Sequence, residues 1–274
     1  GGAEQDGDGK VPFRSRKPSW LKVPAPGGTN YRRLKRTIAA DNLHTVCEEA
    51  NCPNVGECWE RGTATFMILG DVCTRRCGFC NVQTGKPTWN DYGASAFVGV
   101  VRSIRKLAPG CKVELLTPDF RGQEMPLAKV IAERPDVFNH NVETVPRLYP
   151  IARRGSDFMR SARVLKMAKE MGGAEVVTKS GLMVGLGEEF DEMVETFQIL
   201  RDHDVQVLTV GQYLRPTENH LPVTRYWHPE EFEALERAAR EIGFESVAAG
   251  PLVRSSYRAD ESAREVLESR QAAG

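Results

Sequence analysis

The chain carries no excess of charge of either sign, with 37 Lys and Arg against 37 Asp and Glu over 274 residues, so nothing global points to nucleic acid. It has no apolar run near the 18 residues that a membrane span requires, and no signal-peptide core opens it. Cysteine is too sparse for a stapled secreted scaffold: there are seven in all, and pairing would leave one over. Repeats and low-complexity inserts are also missing. These absences leave a soluble chain, 41% hydrophobic and 27% charged, that is long enough to bury one large core.

What is present is concentrated. Six of the seven cysteines fall into two clusters, Cys47-x4-Cys52-x5-Cys58 and Cys73-x3-Cys77-x2-Cys80, and each offers three thiolates rather than four. A structural zinc site closes with four protein ligands, whereas a cubane iron–sulfur cluster held by three cysteines keeps one iron open. Two triads therefore point to two clusters and to a reducing compartment, the cytoplasm or an organelle interior. Zinc held by the same thiolates is the competing reading, although the spacings match neither paired C-x2-C nor a His-completed site. Cys111 reads as a packing residue.

The second triad follows Phe66-Met-Ile-Leu-Gly70, an apolar run expected to form a strand over residues 65 to 70. Gly78 is expected to let that loop wrap its amides around cluster sulfurs. Further strands are expected at 112 to 117, 137 to 143, 176 to 184, 205 to 213 and 245 to 249. Helices are expected near 29 to 41, 94 to 107, 123 to 132, 158 to 171, 189 to 203 and 229 to 242, the first opened by Thr29 or Asn30. Such β-α alternation implies an α/β fold with a parallel sheet curling into an open, partial TIM-type barrel. Residues 1 to 16 read as a disordered leader, 17 to 62 as an extension with the first triad, 63 to 250 as the barrel and 251 to 274 as a C-terminal segment. The basic runs Arg32-Arg33-Leu-Lys35-Arg36 and Arg153-Arg154 read as solvated faces, and His140 as a packed histidine.

The run Cys73-Thr-Arg-Arg-Cys77-Gly-Phe79-Cys80 resembles the signature of radical S-adenosylmethionine enzymes. There the open iron binds the amino and carboxylate groups of S-adenosylmethionine, and one electron releases a 5′-deoxyadenosyl radical. Cys47-Glu-Glu-Ala-Asn-Cys52-Pro-Asn-Val-Gly-Glu-Cys58-Trp59 resembles the auxiliary-cluster segment of lipoyl synthases. Leu116-Thr-Pro-Asp-Phe120, Asn139-His-Asn-Val-Glu-Thr144, Lys179-Ser-Gly-Leu-Met-Val-Gly-Leu-Gly-Glu188, Gly211-Gln-Tyr-Leu-Arg-Pro216 and Arg254-Ser-Ser-Tyr257 agree, in the family's order.

The resemblance implies two [4Fe-4S] clusters and S-adenosylmethionine as cofactors. The activity implied is radical insertion of two sulfur atoms, at C6 and C8 of an octanoyl group on a carrier lysine, with the auxiliary cluster as sulfur source. Cys73, Cys77 and Cys80 would hold the cofactor-binding cluster, while Cys47, Cys52, Cys58 and Ser256 would hold the auxiliary one. Phe79, Asn141, Glu143, Gly185 and Gly187 would contact cofactor. The implied partners are octanoylated lipoyl carrier domains or a glycine-cleavage H protein, an electron donor such as ferredoxin or flavodoxin, and an Fe–S assembly or carrier protein, with no nucleic acid and no membrane. One stretch departs from the family: only a few residues separate Pro87 from the helix at Ala94, where lipoyl synthases carry a further β-α unit of roughly 30 residues. An active enzyme, an impaired cluster-binding homologue and a zinc-stabilised binding protein are the three readings.

Overall fold

The computed structural model describes residues 7, 9–86, 91–257, 259, 261 and 266. Residues 87 to 90, which include Pro87 and most of the shortened connection, lie outside the described residues, as do 1 to 6 and most of the tail. Within the segment read as a leader, Val11 is buried and its N–H meets the Val223 carbonyl at 2.8 Å.

The N-terminal extension contains α1 (Thr29–Ala40), α2 (Val46–Glu49) and α3 (Val55–Glu60). Neither Thr29 nor Asn30 caps α1, which starts one residue after Gly28, a glycine at φ 108°. The cap comes from α3 instead, as the Tyr31 N–H donates to Glu60 Oε2 at 3.0 Å. A Cβ on Gly28 would stand 2.2 Å from that same oxygen, so only glycine leaves room for the carboxylate. Ile38 on the inner face and Tyr31, tilted on the buried Trp59 at 5.3 Å, seat α1, while Arg32, Arg33, Lys35 and Arg36 face solvent.

The main body alternates α4 (Ala94–Leu107), β1 (Glu114–Leu116), α5 (Glu124–Ile131), β2 (Val137–Asn139), α6 (Tyr149–Ala152), α7 (Phe158–Gly172), β3 (Val177–Val184), α8 (Phe190–Asp202), β4 (Val207–Gln212), α9 (Pro229–Ile242) and β5 (Ser246–Gly250). All four ladders are parallel and the strands lie in sequence order, an open sheet of the partial-barrel kind. Near-continuous burial of β2, β3 and β4 fits strands covered on both faces. Phe138, Val142, Leu165, Phe197, Trp227 and Phe232 anchor the core, each worth about 2–3 kcal/mol of buried apolar surface. No helix among the described residues is long and apolar enough to cross a membrane.

The strand expected at residues 65 to 70 does not join this sheet. Phe66 instead bridges Thr45 antiparallel, with Met67 N donating to His44 O at 2.8 Å and Val46 N to Thr65 O at 2.9 Å. Among the described residues the sheet ends at β1, and the apolar run takes backbone partners from the extension. Cys111, expected to pack, is exposed in the turn before that edge. Arg153, expected to be solvated, is 6% exposed, while its neighbour Arg154 faces water.

His140 is packed, as expected, and is 1% exposed. Its Nδ1 donates to Thr117 O at 2.8 Å, and Nε2 shares a hydrogen bond with Ser161 Oγ at 3.0 Å, whose hydroxyl can serve the neutral ring as donor. Burial above all, with Arg153 next, pushes its pKa down to about 3. The folded value lies below the unfolded one of about 6.5, so the unfolded chain gains the proton first and stability is lost as pH falls below about 6.5. Between pH 7 and 5 this loss amounts to about 2 kcal/mol. Urea unfolding at both pH values is expected to show a drop smaller by about that amount in His140→Asn; equal drops would contradict the neutral buried ring.

Candidate cluster-binding active site

The loop holding Cys73, Cys77 and Cys80 is clamped on three sides. Cys73 N donates to Gln83 O at 2.7 Å and Gly85 N returns to Cys73 O at 3.0 Å, closing the loop on itself. Gly78 N donates to Ala152 O at 2.9 Å, at the end of α6, and Gly78 O accepts from Leu221 N at 2.9 Å. A Cβ at Gly78 would lie 3.0 Å from Leu221 Cγ, so this glycine permits close packing of the loop and its amide serves Ala152 rather than a sulfur. His220 Nε2 donates to Cys80 O at 3.0 Å. Arg75 sends its backbone N–H toward Cys73 Sγ at 3.4 Å and its guanidinium to Ser156 Oγ at 2.7 Å and to the Asp119 carboxylate. Phe79 packs beside Val11, Tyr213 and Val223.

Cys47 and Cys58 sit on α2 and α3, and Cys52 on the turn between them. Thr45 Oγ1 caps α2 by accepting from Glu48 N at 3.3 Å, Cys52 N donates to Cys47 O at 2.9 Å, and Cys58 N to Asn54 O at 2.9 Å. The C-terminal segment is pinned onto this loop: the Asn54 amide donates to Leu252 O and Tyr257 Oη to Glu57 Oε1 at 3.1 Å. Below it, Val253 O would stand 2.0 Å from a Cβ on Gly211, so the chain crosses the end of β4 where there is no side chain. Arg254-Ser-Ser-Tyr257 is thereby brought beside Cys52, whose thiol burial raises while Asn54 N–H and the Arg254 charge pull it back.

Both triads face one cavity of about 2600 Å³, which is also lined by Thr117, Asn141, Glu143, Arg153 and Ser256. Asn81, directly after the second triad, donates from Nδ2 to Glu49 O at 3.1 Å in the first, bracing one loop on the other. Glu143 sits at φ 70° with its N–H on Gly181 O at 2.9 Å. Burial pushes its carboxyl above the ordinary value, against the pull of Arg153 and an Asn141 hydrogen bond. Gly181 makes room for that arrangement, since a Cβ there would meet Asn141 Oδ1 at 2.9 Å. Gly185 and Gly187 are not among the cavity-lining residues. Their loop is closed by Glu188, which accepts from Leu186 N at 2.9 Å and from Gly185 N, and the wall contributed by β3 is Gly181, Leu182 and Met183.

Sequence reasoning passed over Arg75, Asp119, Arg153 and Arg254, all of which line the cavity. Arg75 lies inside the second cysteine motif, while Asp119, Arg153 and Arg254 are distant in sequence and only the fold brings them to it.

The donor set suits clusters. Burial first, then Cys52 and Cys47, push Cys58 up to about 11; burial, then Glu143, push Cys77 up to about 12 against Arg153; and burial holds Cys80 at about 11. Thiols this reluctant to ionise need a bound metal to become ligands. Among the described residues no three His, Cys, Asp or Glu side chains converge on a point where a single ion could sit. A cube spreads its three corner ligands apart, while one zinc ion draws them together. Asn141 Oδ1 and Thr117 Oγ1 are buried at the cavity without hydrogen-bond partners, so a ligand rich in N–H donors would satisfy both.

Comparison with known proteins agrees. Residues 4–52 match the family model for the N-terminal domain of lipoyl synthase of the radical SAM family, and 93–200 match the radical SAM superfamily. The chain is 50% identical to a lipoyl synthase of Rubrobacter xylanophilus, with 92% of this chain and 89% of the relative covered. It is 46% identical to those of Dichelobacter nodosus (93% and 88%) and Koribacter versatilis (90% and 91%). The first match runs over 287 residues yet uses 92% of 274, about 252, so about 35 residues of the relative face none here. The same subtraction for the second, 286 against 93% of 274 or about 255, gives about 31, the size of one β-α unit. Near-half identity sustained over nine-tenths of both sequences is more than a shared fold produces, and the chain belongs to the lipoyl synthase family, within the radical S-adenosylmethionine superfamily.

Proposed function

We propose that this chain inserts sulfur at C6 and C8 of an octanoyl group carried on a lysine of a lipoyl carrier domain, and that its shortened sheet weakens the cofactor-binding half of that reaction. The observation that carries the reading is the pair of separate thiol triads facing one cavity, with the Ser256 segment pinned to the first. Cys73, Cys77 and Cys80 hold the cluster that receives S-adenosylmethionine; Cys47, Cys52, Cys58 and Ser256 hold the cluster that gives up sulfur. When bound, these groups supply the one-electron chemistry that removes hydrogen from unactivated carbon, which no general base can do.

The protein's own residues bind and orient. Asn141 Oδ1 and Thr117 Oγ1 offer acceptors to the cofactor, the Arg153 charge attracts Glu143, and Gly181 to Met183 complete the wall. A serine alkoxide on the auxiliary cluster is a harder, more easily protonated ligand than thiolate, suited to a cluster that is dismantled in turnover. The carrier is a lipoyl domain or an H protein, reduction comes from a ferredoxin or flavodoxin, and an Fe–S carrier rebuilds the auxiliary cluster. The medium is a reducing interior, cytoplasmic in a bacterium.

Anaerobic reconstitution is expected to give about eight irons with matching acid-labile sulfide. Alanine at Cys73, Cys77 and Cys80 together leaves about four; loss of all iron would mean one shared site. Conversion of an octanoyl-lysine peptide, followed by mass spectrometry, tests the reaction itself, and zinc in place of iron would overturn it.

Two predictions concern the sheet edge and the C-terminal crossing. The outer side of β1 bears no strand among the described residues, and the family places backbone acceptors for the S-adenosylmethionine ammonium in the unit missing here. An unmet hydrogen bond to a charged group costs about 1.5–3 kcal/mol, so anaerobic calorimetry should give S-adenosylmethionine binding roughly ten- to hundredfold weaker than for the Rubrobacter relative. Equal affinity would show that the short connection compensates. Gly211→Ala forces Val253 away, a backbone shift costing about 1–3 kcal/mol. It should speed chelator removal of iron from the first triad by roughly ten- to hundredfold while sparing the second; unchanged release would detach Ser256 from that cluster.

A further inference from the structure

Outside the ligands themselves, the most completely satisfied buried charge near the second triad is Asp119. It follows β1 in Leu116-Thr-Pro-Asp119-Phe120 and is 1% exposed. One carboxylate oxygen accepts from Arg75 Nη2 and from Arg121 N at 3.1 Å; the other accepts from Arg160 Nε at 2.7 Å, on α7. The turn that aims it is strained, with Phe120 at φ 44° and Arg121 at φ 52°, left-handed positions that non-glycine residues hold only when their surroundings over-determine them. Arg75 is the second residue after Cys73. With its guanidinium fixed between Asp119 and Ser156, its backbone N–H points at Cys73 Sγ at 3.4 Å.

We propose that Asp119 is a positioning residue for the cofactor-binding cluster: it locks Arg75 so that the Cys73–Cys80 loop keeps its conformation and one backbone N–H stays directed at the Cys73 sulfur. The inference rests on the second triad being a cluster site, as proposed above. An N–H donated to a ligating sulfur stabilises the more negative, reduced cluster, so the carboxylate tunes the electron-accepting step without touching cofactor. Arg75 and Arg160 pair with its two oxygens and the Arg121 N–H adds a third donor, which is why an aspartate can be buried there.

The test compares Asp119→Asn, which keeps the shape and loses the charge, with Asp119→Ala and Arg75→Lys in the full chain. After anaerobic reconstitution, the reduced Cys73–Cys80 cluster of Asp119→Asn is expected to show a shifted midpoint potential and an altered paramagnetic resonance line shape at unchanged iron content, with the first-triad signal unmoved. Identical potential and line shape would overturn the proposal. A second measurement needs no iron: in the apoprotein, iodoacetamide should alkylate Cys73, Cys77 and Cys80 about tenfold faster in Asp119→Asn, with the rates at Cys47, Cys52 and Cys58 unaltered. Should no variant, nor the parent, take up iron, the cluster reading fails while the alkylation arm still decides the clamp. Equal alkylation rates at both triads in parent and Asp119→Asn would sink it. If Asp119→Ala does not fold, Asp119→Asn and Arg75→Lys carry the comparison.

Discussion

The crossing of Val253 over Gly211 is the constraint on which the two-triad arrangement depends. The sheet can place only what is attached to strand ends, and the first triad lies on an extension outside it. The link is made by the C-terminal segment, which leaves β5, passes the bare Gly211 backbone and hands the Leu252 carbonyl to Asn54 and the Tyr257 hydroxyl to Glu57. A second link, the antiparallel pairing of 44 to 46 with 65 to 67, ties the entrance of the first triad to the approach of the second. Asn81 on Glu49 O closes the frame. Three weak connections from three directions fix one loop against the other far better than any one of them, since each removes freedom that the others leave.

Charge is arranged in the same doubled way. Each triad faces one arginine from outside its own loop, Arg254 beside Cys52 and Arg153 beside Cys77, and each guanidinium pulls its thiol down against burial. A cluster on three thiolates carries negative charge into a half-buried cavity, and a fixed cation lowers that cost without itself binding metal. Arg153 serves a second partner, Glu143, so the wall that meets cofactor and the loop that holds iron share one buried cation.

Much of this was legible from residues alone. The six cysteines announced themselves by spacing, and the helices from Ala94 to Ile242 by their 3.6-residue pattern and by punctuation such as Pro229 and Gly243. Phe66 to Leu69 misled because an apolar run specifies burial and extended backbone, but not which partner supplies the hydrogen bonds. Arg153 misled for a related reason: beside Arg154 it looks like half of a solvated pair, yet a helix end turns adjacent side chains to different sides, and only the fold puts Glu143 in front of one of them. Gly185 and Gly187 read as a ligand loop because glycines permit close approach; here the close neighbours are Gln212, Arg225 and Thr224.

The length shortfall and the sheet edge express one fact. β3 and β4 pair over six residues, whereas β1 and β2 pair over three, so the ladder thins toward the β1 side. Charged residues gather beside that edge: Lys112 and Arg105 both bridge to Asp136 at 2.9 Å, and Arg102 pairs with Glu133. The frame joining the two triads meets this side at one place, where Leu69, just after the 65 to 67 pairing, packs against Gly93 at the start of α4. Its other members come from the extension, from β4, from Asn81 and from the C-terminal segment. The two triads are thus held by different parts of the chain: the second by its own loop with Ala152 and Leu221, the first by the extension and the C-terminal segment.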